Sequence, residues 1–141
     1  MDAAAVPQVY LTAWRAAENR ASCALLAPNT LGAGEGAAPR RATFAGGWGI
    51  AYDQPGLRSA FGVAGTGADA SAQGMYDDWP HERVWADGSR AGYGAEGGSG
   101  PNLLAYLRVE GQRCLYNVWS RLGRDHLEQL LESLRFVDGA P

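Results

Sequence analysis

The residues Tyr76-Asp77-Asp78-Trp79-Pro80-His81-Glu82 form the densest polar cluster of the chain, three carboxylates and an imidazole interleaved with aromatic rings. Carboxylate oxygens suit hard cations and imidazole suits borderline ones. The run lacks both the loop glycine spacing of an EF-hand and the His-x-x-x-His spacing of a zinc helix. A small metal-dependent hydrolase using the Asp77 to Glu82 loop is therefore the alternative reading. The favoured one is a solvated turn ahead of a strand, with Trp79 and Trp85 folded onto the core. If that turn has a role, aromatic residues set among acids suit contact with a partner or sugar. The candidate binding residues are Tyr76, Asp77, Asp78, Trp79, His81 and Glu82; no catalytic residue, metal ligand or cofactor is assigned.

Other constellations fall short of a chemistry. Gly65-Thr66-Gly67-Ala68-Asp69-Ala70 matches the letters of a dinucleotide-binding turn, but that turn must open a long helix, and Ser71-Ala72-Gln73-Gly74 leads to another break. Ser59 or Ser120 could meet a histidine, yet no Gly-x-Ser-x-Gly elbow is present and His126 reads as a helix-surface residue. Two cysteines and two histidines suffice in number for zinc but lack Cys-x-x-Cys pairing.

Cys23 and Cys114 sit in segments that both read as strands, Arg20 to Ala27 and Gln112 to Trp119. If bonded, they close a loop of about 91 residues, which the chain-entropy account credits with roughly 4 to 5 kcal/mol. Such a bridge implies an oxidising compartment. Two buried free thiols are the alternative. Met1-Asp2-Ala3-Ala4-Ala5 lacks the basic flank and apolar core of a secretory signal, which taken literally gives a cytoplasmic protein. A Met before a short Ala-rich lead also fits a mature chain whose leader has been removed, so we expect a periplasmic or secreted protein.

All twelve basic residues are arginine, which we read as the codon bias of a high-GC bacterium. A net charge of -3 lacks the electrostatic footprint of nucleic-acid binding. Pro39-Arg40-Arg41 reads as a solvated loop, and no stretch approaches the 18 apolar residues of a membrane span. The expected partner is another protein, and the oligomeric state is left open.

The elements that must position these residues can be read from periodicity. Tyr10, Leu11, Trp14 and Ala17 recur at helical spacing, predicting a helix over Gln8 to Asn19. Ala42 to Asp53 and Leu57 to Ala64 flank Gln54-Pro55-Gly56 as a hairpin. Glu82 to Ala86 and Arg90 to Ala95 flank Asp87-Gly88-Ser89 as another. Residues 65–74 and 96–101 read as Gly-rich loops and residues 1–6 as a disordered lead. Leu103 to Val109 alternates as a strand and Arg113 to Trp119 returns beside it. After Gly123, Asp125 with Glu128 three residues on suggests an N-cap, followed by a stripe of Leu127, Leu130, Leu131 and Leu134.

That hairpin, the amphipathic helix and the closing Ser133-Leu134-Arg135-Phe136-Val137 together resemble the end of Mog1/PsbP-like domains, over about Leu103 to Val137. The resemblance implies a sheet-plus-helices domain serving as an accessory, lipoprotein or adaptor module, and transfers no functional residue. The expected fold is a single α+β domain: a twisted antiparallel sheet of six to seven strands with an N-terminal and a C-terminal helix packed on it. The expected function is a non-catalytic extracytoplasmic protein-binding domain, such as an envelope accessory, an immunity or an inhibitor protein.

Overall fold

Buried apolar side chains alternate strictly over Leu103–Arg108, as a strand requires, and a computed structural model shows how it and its neighbours pair. It describes residues 1–29, 36–70 and 79–138. In chain order these contain α1 (Gln8–Arg15), β1 (Leu26–Pro28), β2 (Ala38–Arg41), β3 (Trp48–Gln54), β4 (Leu57–Asp69), β5 (His81–Val84) and β6 (Arg90–Ala95). They continue with β7 (Leu103–Arg108), β8 (Cys114–Ser120), α2 (Arg124–Ser133) and β9 (Leu134–Phe136). Seven strands form one antiparallel sheet in the order β2-β3-β4-β8-β7-β6-β5, and β1 pairs with β9 in a separate ribbon. The α+β architecture with a helix near each end is as expected.

Register assigns each residue to a face. The row Ile50, Val63, Val118, Ala105, Tyr93 and the row Tyr52, Phe61, Ser120, Leu103 share one face. Both helices lie on it: the Tyr10 and Tyr52 hydroxyls share a 2.7 Å hydrogen bond, and Phe61 meets the His126 ring at 4.9 Å. Leu127, Leu130 and Leu131 are buried, which supplies the apolar cover the sheet needs. Leu134, the last residue of the expected stripe, instead leaves the helix and opens β9.

Several boundaries differ from expectation for local reasons. The first helix stops at Arg15 because Asn19 Nδ2 donates to the carbonyls of Gly65 and Thr66 and draws the following turn onto the sheet. Cys23 lies in a bend, and the expected strand is confined to Leu26–Pro28. Around it Trp14 Nε1 donates to the Cys23 carbonyl and the Ala24 N–H to Gln112 Oε1, so side chains replace a ladder. Asp125 is no N-cap: that position is Gly123, whose φ of 96° suits glycine, while the Glu128 carboxylate turns to the Tyr93 hydroxyl.

Residues 65–69, expected in a loop, continue β4, and 71–74 lie outside the described residues. Arg40 and Arg41 belong to the edge strand β2, not a loop. Residues 96–98 form a short 3-10 turn. Nor are residues 1–6 a loose lead, since Ala3 N–H donates to the Asp138 carbonyl, Asp138 N–H to that of Met1, and Val6 is buried.

Cys23 and Cys114 are bonded, with Cα atoms 5.3 Å apart. Gly65 makes room for the bridge: a Cβ there would come 2.3 Å from Cys23 Sγ and 2.5 Å from Trp48 Nε1. No helix among the described residues is long and apolar enough to cross a membrane.

Candidate functional site

The sheet face away from the helices carries a row of aromatic rings set on a floor of glycine. Gly62, Trp119, Leu104 and Gly94 stand directly opposite one another across β4, β8, β7 and β6. Beside them run Gly49, Ala64, Asn117, Tyr106, Gly92 and Glu82. The Trp119 indole lies over Gly62, where a Cβ would come 2.3 Å from Cζ2, and Phe44 lies over Gly49, where one would come 2.5 Å from Cδ2. At the far side Pro80 covers Gly94, and Trp79 meets Tyr106 edge-on at 5.2 Å. Phe44 and Trp119 are 6.0 Å apart, so the rings form two adjoining pairs across the sheet. All four, with Leu104, are half-buried and keep part of their surface towards solvent.

Charged pairs border this row. At the β2 edge Arg40 bridges Asp53 at 2.7 Å and also donates to Ser59 Oγ. Asp53 also accepts the Ser59 N–H, and these bonds, the backbone one first, hold its carboxyl below the usual carboxylate range. At the β5 edge Glu82 meets Arg90 at 3.5 Å.

Of the residues singled out in the sequence, Tyr76, Asp77 and Asp78 lie outside the described residues. Trp79 joins the aromatic row. His81 and Glu82 are adjacent on β5, so their side chains leave opposite faces of the sheet and do not converge. The His81 ring lies tilted against that of Tyr93 at 5.4 Å and its Nε2 accepts from Arg124 Nη1 at 3.2 Å, while Glu82 faces the other way. Among the described residues no group of three His, Cys, Asp or Glu side chains is arranged to hold a metal ion.

Ser120 and His126 do meet, with Oγ 2.7 Å from Nδ1. Ser120 is fully buried, and its Oγ also accepts the Leu122 N–H, which fixes the turn into α2. A hydroxyl shut away from solvent between two structural bonds serves as a clasp, not as a nucleophile awaiting substrate.

The sequence reading missed Phe44, Tyr106 and Trp119 as parts of one surface. The available signal was the recurrence of glycine at positions 49, 62 and 94 within strands, where a missing side chain often marks close approach by another group. Comparison with protein-family models, with curated proteins and with solved structures finds no match.

Proposed function

We propose that this chain is a non-catalytic, extracytoplasmic binding domain of a high-GC bacterium, an envelope accessory, immunity or inhibitor protein, that holds a protein partner on its aromatic sheet face. The observation that carries the reading is the row of Phe44, Trp119, Tyr106 and Trp79 over glycines 49, 62 and 94. Rings pressed onto backbone lose little further freedom when a partner covers them, and interface cores are enriched in such aromatics with arginine. The Arg40–Asp53 and Glu82–Arg90 pairs supply the polar rim. Trp79 links this surface to the Tyr76 to Glu82 segment. The Cys23–Cys114 bond favours an oxidising compartment, periplasmic or secreted. The resemblance of the last strands and helix to Mog1/PsbP-like domains points to the same accessory role.

The test is site-specific photo-crosslinking in the source envelope, with the reactive residue at Trp119 or Tyr106 and, as control, at Arg15 on the exposed side of α1. We expect one protein captured reproducibly from the two sheet positions and not from the control. Trp119→Ala should weaken the reconstituted complex by at least about tenfold, in the range of an interface hot spot. The same pattern from all three positions would remove the proposal.

A further inference from the structure

On the helix side of the sheet, away from the aromatic row, a cleft of about 450 Å3 opens between the β5–β6 turn and the ribbon of β1 and β9. Its size lies in the lower part of the range for small-ligand sites, with room for one chain in preference to two. Leu26, Leu107, Val109 and Leu131 form a buried apolar floor, and Leu134 and Phe136 line the β9 side, with Phe136 43% exposed. Trp85 forms the opposing wall.

The walls are fixed before any ligand arrives. Trp85 Nε1 donates to Glu132 Oε2, and Arg83 both bridges Glu132 at 2.7 Å and lies 4.8 Å from the centre of the Trp85 ring. The turn that carries Trp85 is held by the Ser89 N–H on Asp87 Oδ1 and by the Glu110 N–H on Ser89 Oγ. Asp87, Glu132 and Arg135 stand at the mouth, with Arg83 beside them, and these charges are unequally paired. Glu132 is neutralised by Arg83, and Asp87, still charged, is turned to the Ser89 N–H of its own turn. Arg135 lines the cleft with no carboxylate partner among the described residues; its Nη1 donates only to the carbonyls of Glu132 and Leu134.

We propose that this cleft binds a free fatty acid, its chain lying over Leu107, Val109 and Leu131 and its carboxylate received by Arg135. An apolar trough with one unspent guanidinium at its rim complements that amphiphile: the tail supplies burial and the planar fork pairs with the carboxylate. The site is separate from the proposed partner surface, and either can fail without the other.

Calorimetric titration with decanoate and with decanol, its uncharged counterpart, tests the assignment. Decanoate is expected to bind the oxidised wild-type chain at one per molecule. Arg135→Gln should weaken decanoate about tenfold, the scale of one charge-assisted hydrogen bond, and leave decanol unchanged. Leu134→Trp, which fills the cleft from its rim, should abolish both. Failure of decanoate to bind wild type, or equal decanoate affinity in Arg135→Gln, overturns the proposal. If Leu134→Trp does not fold, bromine-labelled decanoate should quench wild-type emission more than that of Trp85→Phe; equal quenching also overturns it.

Discussion

Trp119 lies across Gly62, its direct partner on the neighbouring strand, so closely that the glycine has no space for a methyl group. A Cβ there would meet the indole at 2.3 Å and the Ile50 carbonyl at 2.4 Å. Gly62→Ala should therefore force the indole off the sheet and strain the β3–β4 ladder, costing about 1–3 kcal/mol. Trp119→Ala relieves no such clash and removes a half-buried ring, so it should impair partner capture more than folding. Urea denaturation of both variants beside the crosslinking assay separates the two effects.

Reduction of Cys23–Cys114 should lower stability by roughly 4 to 5 kcal/mol on the chain-entropy account, since 91 residues separate the two cysteines. The measurement is the urea midpoint with and without reductant, checked against Cys23→Ser/Cys114→Ser. Trp48 offers an internal reporter. Its Nε1 and the Cys23 sulfur both stand against Gly65, so a disulfide that quenches the indole should give brighter emission once reduced. No change in emission on reducing the still-folded chain would contradict that placement.

Ser59 holds φ at 52°, the left-handed region that side chains disfavour, where β4 departs from regular pairing with β3. Glycine would relieve about 1–2 kcal/mol of backbone cost but lose the bond from Arg40, worth about 1 kcal/mol, so Ser59→Gly should be close to neutral. Ser59→Val keeps the strain, adds branching and loses the bond, and should destabilise by about 1–3 kcal/mol. Thermal unfolding at neutral pH distinguishes them.

The same corner should make the protein acid-sensitive. The Asp53 carboxyl is depressed in the folded state, so its contribution is present above the ordinary aspartate value, near 4, and is lost as pH falls through the folded value. Asp53→Asn should flatten the fall in urea midpoint below about pH 4. An unaltered acid profile would show that other carboxylates govern it.

At the alkaline end Tyr93 is the reporter. Burial, and then its hydrogen bond to Glu128, push its phenol up to about 12. A raised value means stability is complete below the unfolded value near 10 and is lost as pH rises through the folded one. Tyr93→Phe should lessen the loss between about pH 10 and 12. Tyr116, raised by burial and bonded to the Ala24 carbonyl, acts in the same direction, so part of the slope should survive.

Periodicity was informative wherever one side of an element is wet and the other dry. Leu103, Ala105 and Leu107 alternate because β7 lies between β6 and β8 with its inner side under α2, and the leucines of α2 repeat because only one stripe meets the sheet. It failed where backbone follows a distant group. Residues 65–69 look like linker, yet Gly65 is small because a disulfide and an indole occupy the space its side chain would need. Asp125 and Glu128 have the spacing of a capping box, but Tyr93, thirty-five residues away, takes the glutamate. The aromatic row was hidden for the same reason: its rings come from β7, β8 and the segments preceding β3 and β5, and only register brings them together.

Because residues 1–3 run alongside Asp138, which follows β9, the first and last described residues lie side by side. A tag or tether joined directly at residue 1 or at residue 138 therefore springs from one corner, leaving the opposite flank open to approach. Immobilisation through residue 1 and through residue 138 should thus present the same orientation.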